Sequence, residues 1–318
     1  MARYSEVGMK TVLILVALCF CAPAMALTIA AGTPEGTYYQ IAQDIGRVAD
    51  ADGIPIDIVR TNGSFDNINL LGAGKVDLAI LQLDALKFVA DALQARAGLN
   101  PLAELKVVLN LYPEEIHVIT NNPTIRSFEQ LDRKKVAVGP ENGGAALTAE
   151  VLFTLYRVRA DRFFDAPAEA LQKLREKTLD ALIFVGGAPV PAFEMLDRSF
   201  HFVQLPANPL VEQIYQKTKI APAIYPWAGE TETYSVPSVI MTRDRKDPVY
   251  AAVIQKLVLA ILTNKHELDT NGHPKWKSSM VRYVPETAGY PPANQVIQTY
   301  NLMDVLGYQI IRKGAATE

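Results

Sequence analysis

"LTIAAGTPEGTYYQIAQDIGRV", Leu27 to Val48, joins a short β-like run to an amphipathic helix through a turn built on Gly32, Pro34 and Gly36. The first turn of a helix leaves its N–H groups without partners, so strand, glycine turn and helix together form an arrangement suited to an anion. The fold follows from how often the chain repeats that arrangement.

Downstream, "IPIDIVR" (54–60) reads as a second strand, and "SFDNINLLGAG" (64–74) as a short helix stopped by Gly72 and Gly74. "KVDLAILQ" (75–82) gives a third strand, and "DALKFVADALQARAG" (84–98) a helix closing at Gly98. Strands alternating with helices predict a doubly wound, mainly parallel sheet. The pattern restarts in "KKVAVGPENGGAALTAEVLFTLYRV" (134–158) and again in "AEALQKLREKTLDALIFVGGAPVPAFEML" (168–196). "GKVDLAIL" and "KTLDALIF" echo each other, with Asp77 and Asp180 at the entry to an apolar strand. Two α/β lobes of similar plan are expected.

Between them "LKVVLNLYPEEIHVITNN" (105–122) is long and β-rich, a first crossing from lobe to lobe. "TETYSVPSVIMTRD" (231–244) is a second, followed by a strong helix in "DPVYAAVIQKLVLAILTNKHEL" (247–268) and a last helix ending near Gly307. Two crossings return the C-terminal segment to the first lobe. The expected division is a leader (1–26), lobe 1 (27–118), lobe 2 (119–231), and a hinge return that completes lobe 1 (232–318).

The N-terminus has the form of a secretory signal: Arg3 and Lys10, an apolar run from Val12 to Ala22, then small residues fitting cleavage after Ala26. The run is short of the roughly 18 to 20 residues that span a bilayer. Both cysteines, Cys19 and Cys21, fall inside it, so the mature chain has no thiol for a disulfide, a nucleophile or a metal. A formal net charge of −3 offers no basic excess to neutralise phosphates, which argues against nucleic acid as a partner.

No nucleophile elbow, phosphate loop or zinc helix is present. Of His117, His201, His266 and His273, only the last two lie near each other, in "HELDTNGH", which reads as a solvated helix end rather than a metal site. Glu114–Glu115 reads as surface charge. No cofactor is expected. The binding-type features are stronger, because ligands of open α/β sheets sit at the carboxyl ends of strands. There the first lobe carries Gly32, Thr33, Gly36, Thr37, Tyr38 and Tyr39, then Thr61, Asn62, Gly63, Ser64 and Asn67, then Gln82 and Asp84. The second carries Gly139, Asn142, Gly143 and Gly144, then Gly186, Gly187 and Pro189.

"AAGTPEGTYYQIA", "TNGSFDNINLLGAGKVDLAILQLDAL", "LYPEEIHVIT", "KKVAVGPENGGA" and "AIYPWAGETETYSVPSVIMTRDRKDPVYAAVIQKL" occur in the order seen in one family. Over essentially the whole mature chain the sequence resembles the TAXI group of periplasmic solute-binding proteins, the receptors of TRAP-type transporters. The resemblance implies a type II periplasmic-binding-protein fold: two doubly wound α/β lobes joined by hinge strands, with a ligand cleft between them. It implies capture of a small carboxylate by hinge closure (an amino acid such as glutamate or glutamine, or a di- or 2-oxo acid) and delivery to TRAP permease membrane subunits. Carried over by position, the ligand-facing set is Gly32, Thr33, Gly36, Thr37, Tyr38, Thr61, Gly63, Ser64, Asn67, Gln82 and Asp84 in lobe 1. In lobe 2 it is Asn142, Gly143, Gly144, Ala145 and Gly186.

The chain departs from the family in places. "NGGA" stands where relatives usually end a turn in Ser-Gly-Thr, removing two hydroxyl donors. Glu35 and Glu141 stand where small or neutral residues are common, and either would offer a partner to a ligand ammonium if it faced the cleft. The runner-up role is a ligand-sensing periplasmic module reporting to a membrane signalling protein, and an exported enzyme on the same scaffold is a third.

Overall fold

The computed structural model describes residues 26–98, 100–279 and 290–293. The apolar leader with its two cysteines and the helix expected before Gly307 lie outside the described residues.

The opening stretch forms β1 (Leu27–Ala30) and α1 (Thr37–Ala51), followed by β2 (Ile56–Val59), α2 (Ser64–Gly72), β3 (Leu78–Gln82) and α3 (Leu83–Ala97). Helix α1 follows its apolar spacing: Ile41, Ala42, Ile45, Val48 and Ala49 recur at i, i+1, i+4, i+7 and i+8, and all are buried. Full burial of Ile41 and Ile45 stabilises the lobe by about 1.5–3 kcal/mol each before entropic costs. Helix α3 stops at Gly98, whose φ of 64° is the left-handed cap conformation. β3 is buried along its whole length, as its unbroken apolar run requires.

β4 (Leu105–Thr120) leads into the second lobe, formed by β5 (Lys135–Ala137), α4 (Gly144–Tyr156), β6 (Asp161–Phe163), α5 (Pro167–Arg175) and β7 (Ala181–Gly186). The run expected as a helix after β7 is a single turn, α6 (Pro191–Glu194). Three short elements and one long strand complete that lobe and the way back: β8 (His201–Phe202), α7 (Pro209–Glu212), β9 (Gln216–Ile220) and the long β10 (Thr231–Arg243). Then α8 (Pro248–Thr263) and α9 (Lys265–Asn271) return to α1. Asp247 caps α8 by accepting from the Val249 N–H at 2.9 Å, with Pro248 at the first helical position.

The sheet runs β2-β1-β3-β10-β4-β7-β5-β6. Strands β1, β2 and β3 pair in parallel, as do β5, β6 and β7. β4 and β10 are antiparallel to each other and belong to both lobes. β10 pairs with β3 over residues 238–242 and with β9 over 231–235, while β4 pairs with β7 over 115–119. Their mutual register shifts between Pro237 and Val239, next to the place where Pro237 faces Pro113. Each lobe fills both faces of its half-sheet. Trp276 packs with α1 and α8 on one face of lobe 1, and Phe193, Tyr225 and Trp227 pack on one face of lobe 2.

The echo noted in the sequence has a structural cause. Asp77 accepts from the Thr28 N–H at 2.9 Å and its hydroxyl at 2.8 Å, and Asp180 accepts from the Lys135 N–H at 2.9 Å. Each carboxylate fastens the start of the neighbouring parallel strand, in the same place in each lobe.

Candidate functional site

Three helices point their N-termini at the gap between the lobes. Their first-cap residues are Gly36 for α1, Gly63 for α2 and Gly143 for α4, and none of the three caps makes a side-chain hydrogen bond. The free N–H groups and the partial positive charge of each helix therefore face a common space. Gly63 is required by its backbone, since its φ of 120° is one that L side chains rarely adopt.

The lobes are closed on each other. A Cβ on Gly63 would lie 3.4 Å from the Gly143 Cα, and one on Gly143 would lie 3.0 Å from the Asn62 carbonyl oxygen. A Cβ on Gly144 would fall 1.7 Å from the Gln82 Oε1 and 2.9 Å from the Ser64 Oγ, so those side chains would have to move to admit one. Both glycines of "NGGA" thus stand where lobe 1 comes closest to α4. Hydrogen bonds cross the gap, among them Gln82 Nε2 to the Thr148 hydroxyl at 3.4 Å. The Thr37 hydroxyl donates to the Gly187 carbonyl at 2.7 Å, and the Asp66 N–H donates to the Asn142 carbonyl at 3.3 Å. Thr148 and Tyr215 hydroxyls donate to one oxygen of Asp84 at 2.9 and 3.1 Å. His273 Nε2 lies 2.9 Å from the Pro189 carbonyl.

What remains between the lobes is a cavity of about 50 Å³. At about 10–15 Å³ per water-sized sphere, it holds roughly three to five non-hydrogen atoms in this closed state. From lobe 1 it is lined by Gly32, Thr33, Gly36, Thr37 and Tyr38, by Gly63 and Ser64, and by Gln82. From lobe 2 it is lined by Gly143, Gly144, Ala145 and Gly186. Ser64 accepts from the Gln82 N–H at 3.1 Å, which holds the Gln82 side chain against the gap.

Other residues singled out in the sequence are placed elsewhere. Asn67 is fully buried and donates to the Ile80 carbonyl at 2.6 Å and to the Ala31 carbonyl, tying α2 to the ends of two strands. The Thr61 oxygen accepts from the Gly63 N–H at 3.1 Å and so shapes the turn. Asp84 is engaged by lobe 2, and the Asn142 side chain is exposed. Glu35 and Glu141 are both exposed and do not line the cavity. Tyr39 stands outside it, with the Arg60 guanidinium 5.6 Å from its ring centre.

Two readings are corrected. Glu114 and Glu115, taken as surface charge, are 1% and 6% exposed. Glu114 lines the cavity and accepts from the Tyr38 hydroxyl at 2.9 Å. Burial holds its carboxyl well above the usual range, and the nearby Asp84 and Glu115 push the same way. Glu115 forms a buried ion pair with Lys275 and accepts from the Ala188 N–H at 2.8 Å. Within "HELDTNGH" His266 is exposed, but His273 is half-buried against the lobe-2 loop. A signal for the acidic pair existed: two carboxylates inside a sixteen-residue strand that is largely apolar and central need buried partners. Their partners, Tyr38 and Lys275, are too distant in sequence to be read locally.

The remaining lining is apolar or neutral, including Pro140, Pro167, Phe184 and Val185, and it contains no lysine, arginine or histidine. Among the described residues no group of three or more acidic, histidine or cysteine side chains could hold a metal. The site can hold an anion on backbone donors and a flat or aliphatic body against Tyr38 and Phe184.

The profile of the NMT1-like family matches residues 29–283. A solved structure described as a periplasmic transporter is similar at 14% identity, covering 89% of this chain and 97% of that one, with a TM-score of 0.54. The glutamate-bound ligand-binding core of GluR0 from Nostoc punctiforme is 16% identical over 79% of this chain and 96% of that one, with a TM-score of 0.46. The putative periplasmic sulfonate-binding protein SsuA from Methylobacillus flagellatus KT is 13% identical over 77% and 69%, with a TM-score of 0.45. At these identities the likeness is one of fold, and the first of the three carries it. The expected type II periplasmic-binding architecture is the one observed.

Proposed function

The chain belongs to the NMT1-like family, and on that premise we propose that it is an exported solute-binding protein that closes over a small carboxylate. The ligand class is an amino acid such as glutamate or glutamine, or a di- or 2-oxo acid, and the recipient is a TRAP-type permease. The protein binds its ligand and releases it unchanged. One observation carries this reading: three glycine-capped helix N-termini, two from one lobe and one from the other, meet at one cavity between the lobes. Only the closed state brings all three together, so closure itself completes the anion site. A ligand larger than the cavity is held with the lobes slightly further apart.

Thermal unfolding of the mature protein tests it, after co-purified ligand has been stripped by unfolding and refolding. The panel holds amino acids, dicarboxylates, 2-oxo acids and simple sugars. Ligand at a hundred times its dissociation constant should stabilise the folded form by about 2.7 kcal/mol. A shift confined to carboxylates supports the reading, whereas a shift with sugars alone, or with nothing, overturns it. Uptake of the same ligand into vesicles holding a TRAP-type permease should require this protein. Export predicts a mature chain beginning at Leu27 in the periplasmic fraction.

A further inference from the structure

The cavity holds one ionisable carboxyl group and no cation. Glu114 stands in the stretch of β4 where the chain passes between lobes, 1% exposed, with the Tyr38 hydroxyl 2.9 Å from its Oε2. The groups facing it from every side have been assigned. Tyr38 comes from α1 and Asp84 from the start of α3, while Tyr112 and Glu115 share its own strand. Lys275, the nearest cation, is paired with Glu115 and lies 5.9 Å from the Tyr112 ring centre, so its charge is already balanced. The Tyr38 hydroxyl and the more distant Lys275 favour the ionised Glu114, but burial and the neighbouring Asp84 and Glu115 outweigh them, and no cation is paired with it.

Helix N-termini and a buried carboxyl group ask for opposite charges in a ligand. A plain carboxylate meets the first requirement and leaves Glu114 without a counter-charge, while a zwitterion meets both. We infer that Glu114 takes the ammonium group of the ligand, so that the site selects α-amino carboxylates over the same acids without the amine. This rests on the carboxylate reading above and assigns to Glu114 the ammonium contact that the sequence offered to Glu35 and Glu141, both of which face solvent. With the cavity empty, burial keeps the Glu114 carboxyl protonated to unusually high pH. Binding an ammonium ionises it, and the displaced proton passes to solvent.

Isothermal titration near neutral pH with matched pairs reads this directly: alanine against propionate, and glutamate against glutarate. In the wild-type protein the amine-bearing member of a pair should bind at least about tenfold more tightly. Glu114→Gln should weaken its binding on the order of a hundredfold and leave the amine-free acid unchanged or improved. Thermal unfolding of the ligand-free variant checks that it folds. Independently of any variant, titrations of the wild type in two buffers of different ionisation enthalpy should show a proton released with the amino acid and none with the amine-free acid. A wild-type preference for amine-free acids overturns the inference while leaving carboxylate capture standing, and so does a Glu114→Gln variant that keeps the amino-acid preference. If no acid of either kind binds the wild type, the carboxylate reading itself falls, and this inference with it.

Discussion

The two lobes share a plan and furnish their faces differently. Lobe 1 brings side chains to the gap: Thr37, Tyr38, Ser64 and Gln82, with Glu114 from the shared strand. Lobe 2 brings no polar side chain but small residues, Gly143, Gly144, Ala145 and Gly186, with apolar ones, Pro140, Pro167, Phe184 and Val185, beside them. One face carries the chemistry, and the other is shaped to approach it closely. A bulky lobe-2 face would keep the helix starts apart, because glycine at 143 and 144 is what lets α4 come against α2. The comparison teaches that an empty position contributes to a binding site when it sets how far two bodies can close.

The largest effect should follow from filling that position. Gly144→Val places its Cβ on the Gln82 side chain and near the Ser64 oxygen, so the closed state cannot form as it stands. Ligand affinity should fall on the order of a hundredfold or more, while the melting temperature of the empty protein changes little. Calorimetric titration beside thermal unfolding separates the two, and unchanged affinity would break the contrast between the lobes.

The second test concerns the polar groups each lobe buries. His117 lies on the lobe-2 half of β4, fully buried, with Nδ1 2.9 Å from the Glu115 carbonyl and Nε2 3.0 Å from the Tyr225 hydroxyl. Burial pushes it down to about 3. Between the unfolded value near 6.5 and that folded value the unfolded chain holds the extra proton, so stability should fall as pH falls. The slope is about 1.4 kcal/mol per pH unit from this residue. Glu114 acts in the opposite sense: its raised folded value gives stability that is present in acid and lost as pH rises above the unfolded carboxyl range. Denaturant unfolding from pH 6.5 down to 4.5 should show a flatter decline in His117→Gln than in the wild type, and an equal slope would assign the acid response to other groups.

The smallest effect sharpens the division of labour inside lobe 1. Asp84 sits with its polar neighbours at a strand end but binds Thr148 and Tyr215 of lobe 2. Asp84→Asn weakens two hydrogen bonds that exist only when the lobes are closed, and ligand affinity should drop about tenfold. The loss should be the same for every ligand in a panel, because the residue does not line the cavity. A ligand-dependent loss would move Asp84 into the site.

The alternation of strands and helices, the two crossings and the glycine turns were legible because they rest on local patterns: apolar spacing, stop residues and turn residues. The fold of each lobe follows from them. Less legible was which polar residue faces the ligand. Asn67, Thr61 and Asp84 share a sequence neighbourhood with Ser64 and Gln82, yet they hold a turn, a helix and the opposite lobe. Their partners are carbonyl groups and hydroxyls that only the folded chain brings near. Glu114 was missed for the converse reason. A charged pair reads as solvated unless the strand around it is known to be central, and that depends on β7 and β10 arriving from far along the chain.

Pro113 and Pro237 face each other where β4 and β10 pass from one lobe to the other. Neither residue has an N–H to donate, so the ladder is thinnest at the point where both strands cross. Neighbouring strands resist bending through the bonds between them, and here two of those bonds have no donor. The softest place in the long pair therefore coincides with the only two connections between the lobes among the described residues. A proline pair in the middle of a sheet, ordinarily a fault, here leaves the join between the lobes with two backbone nitrogens that carry no hydrogen.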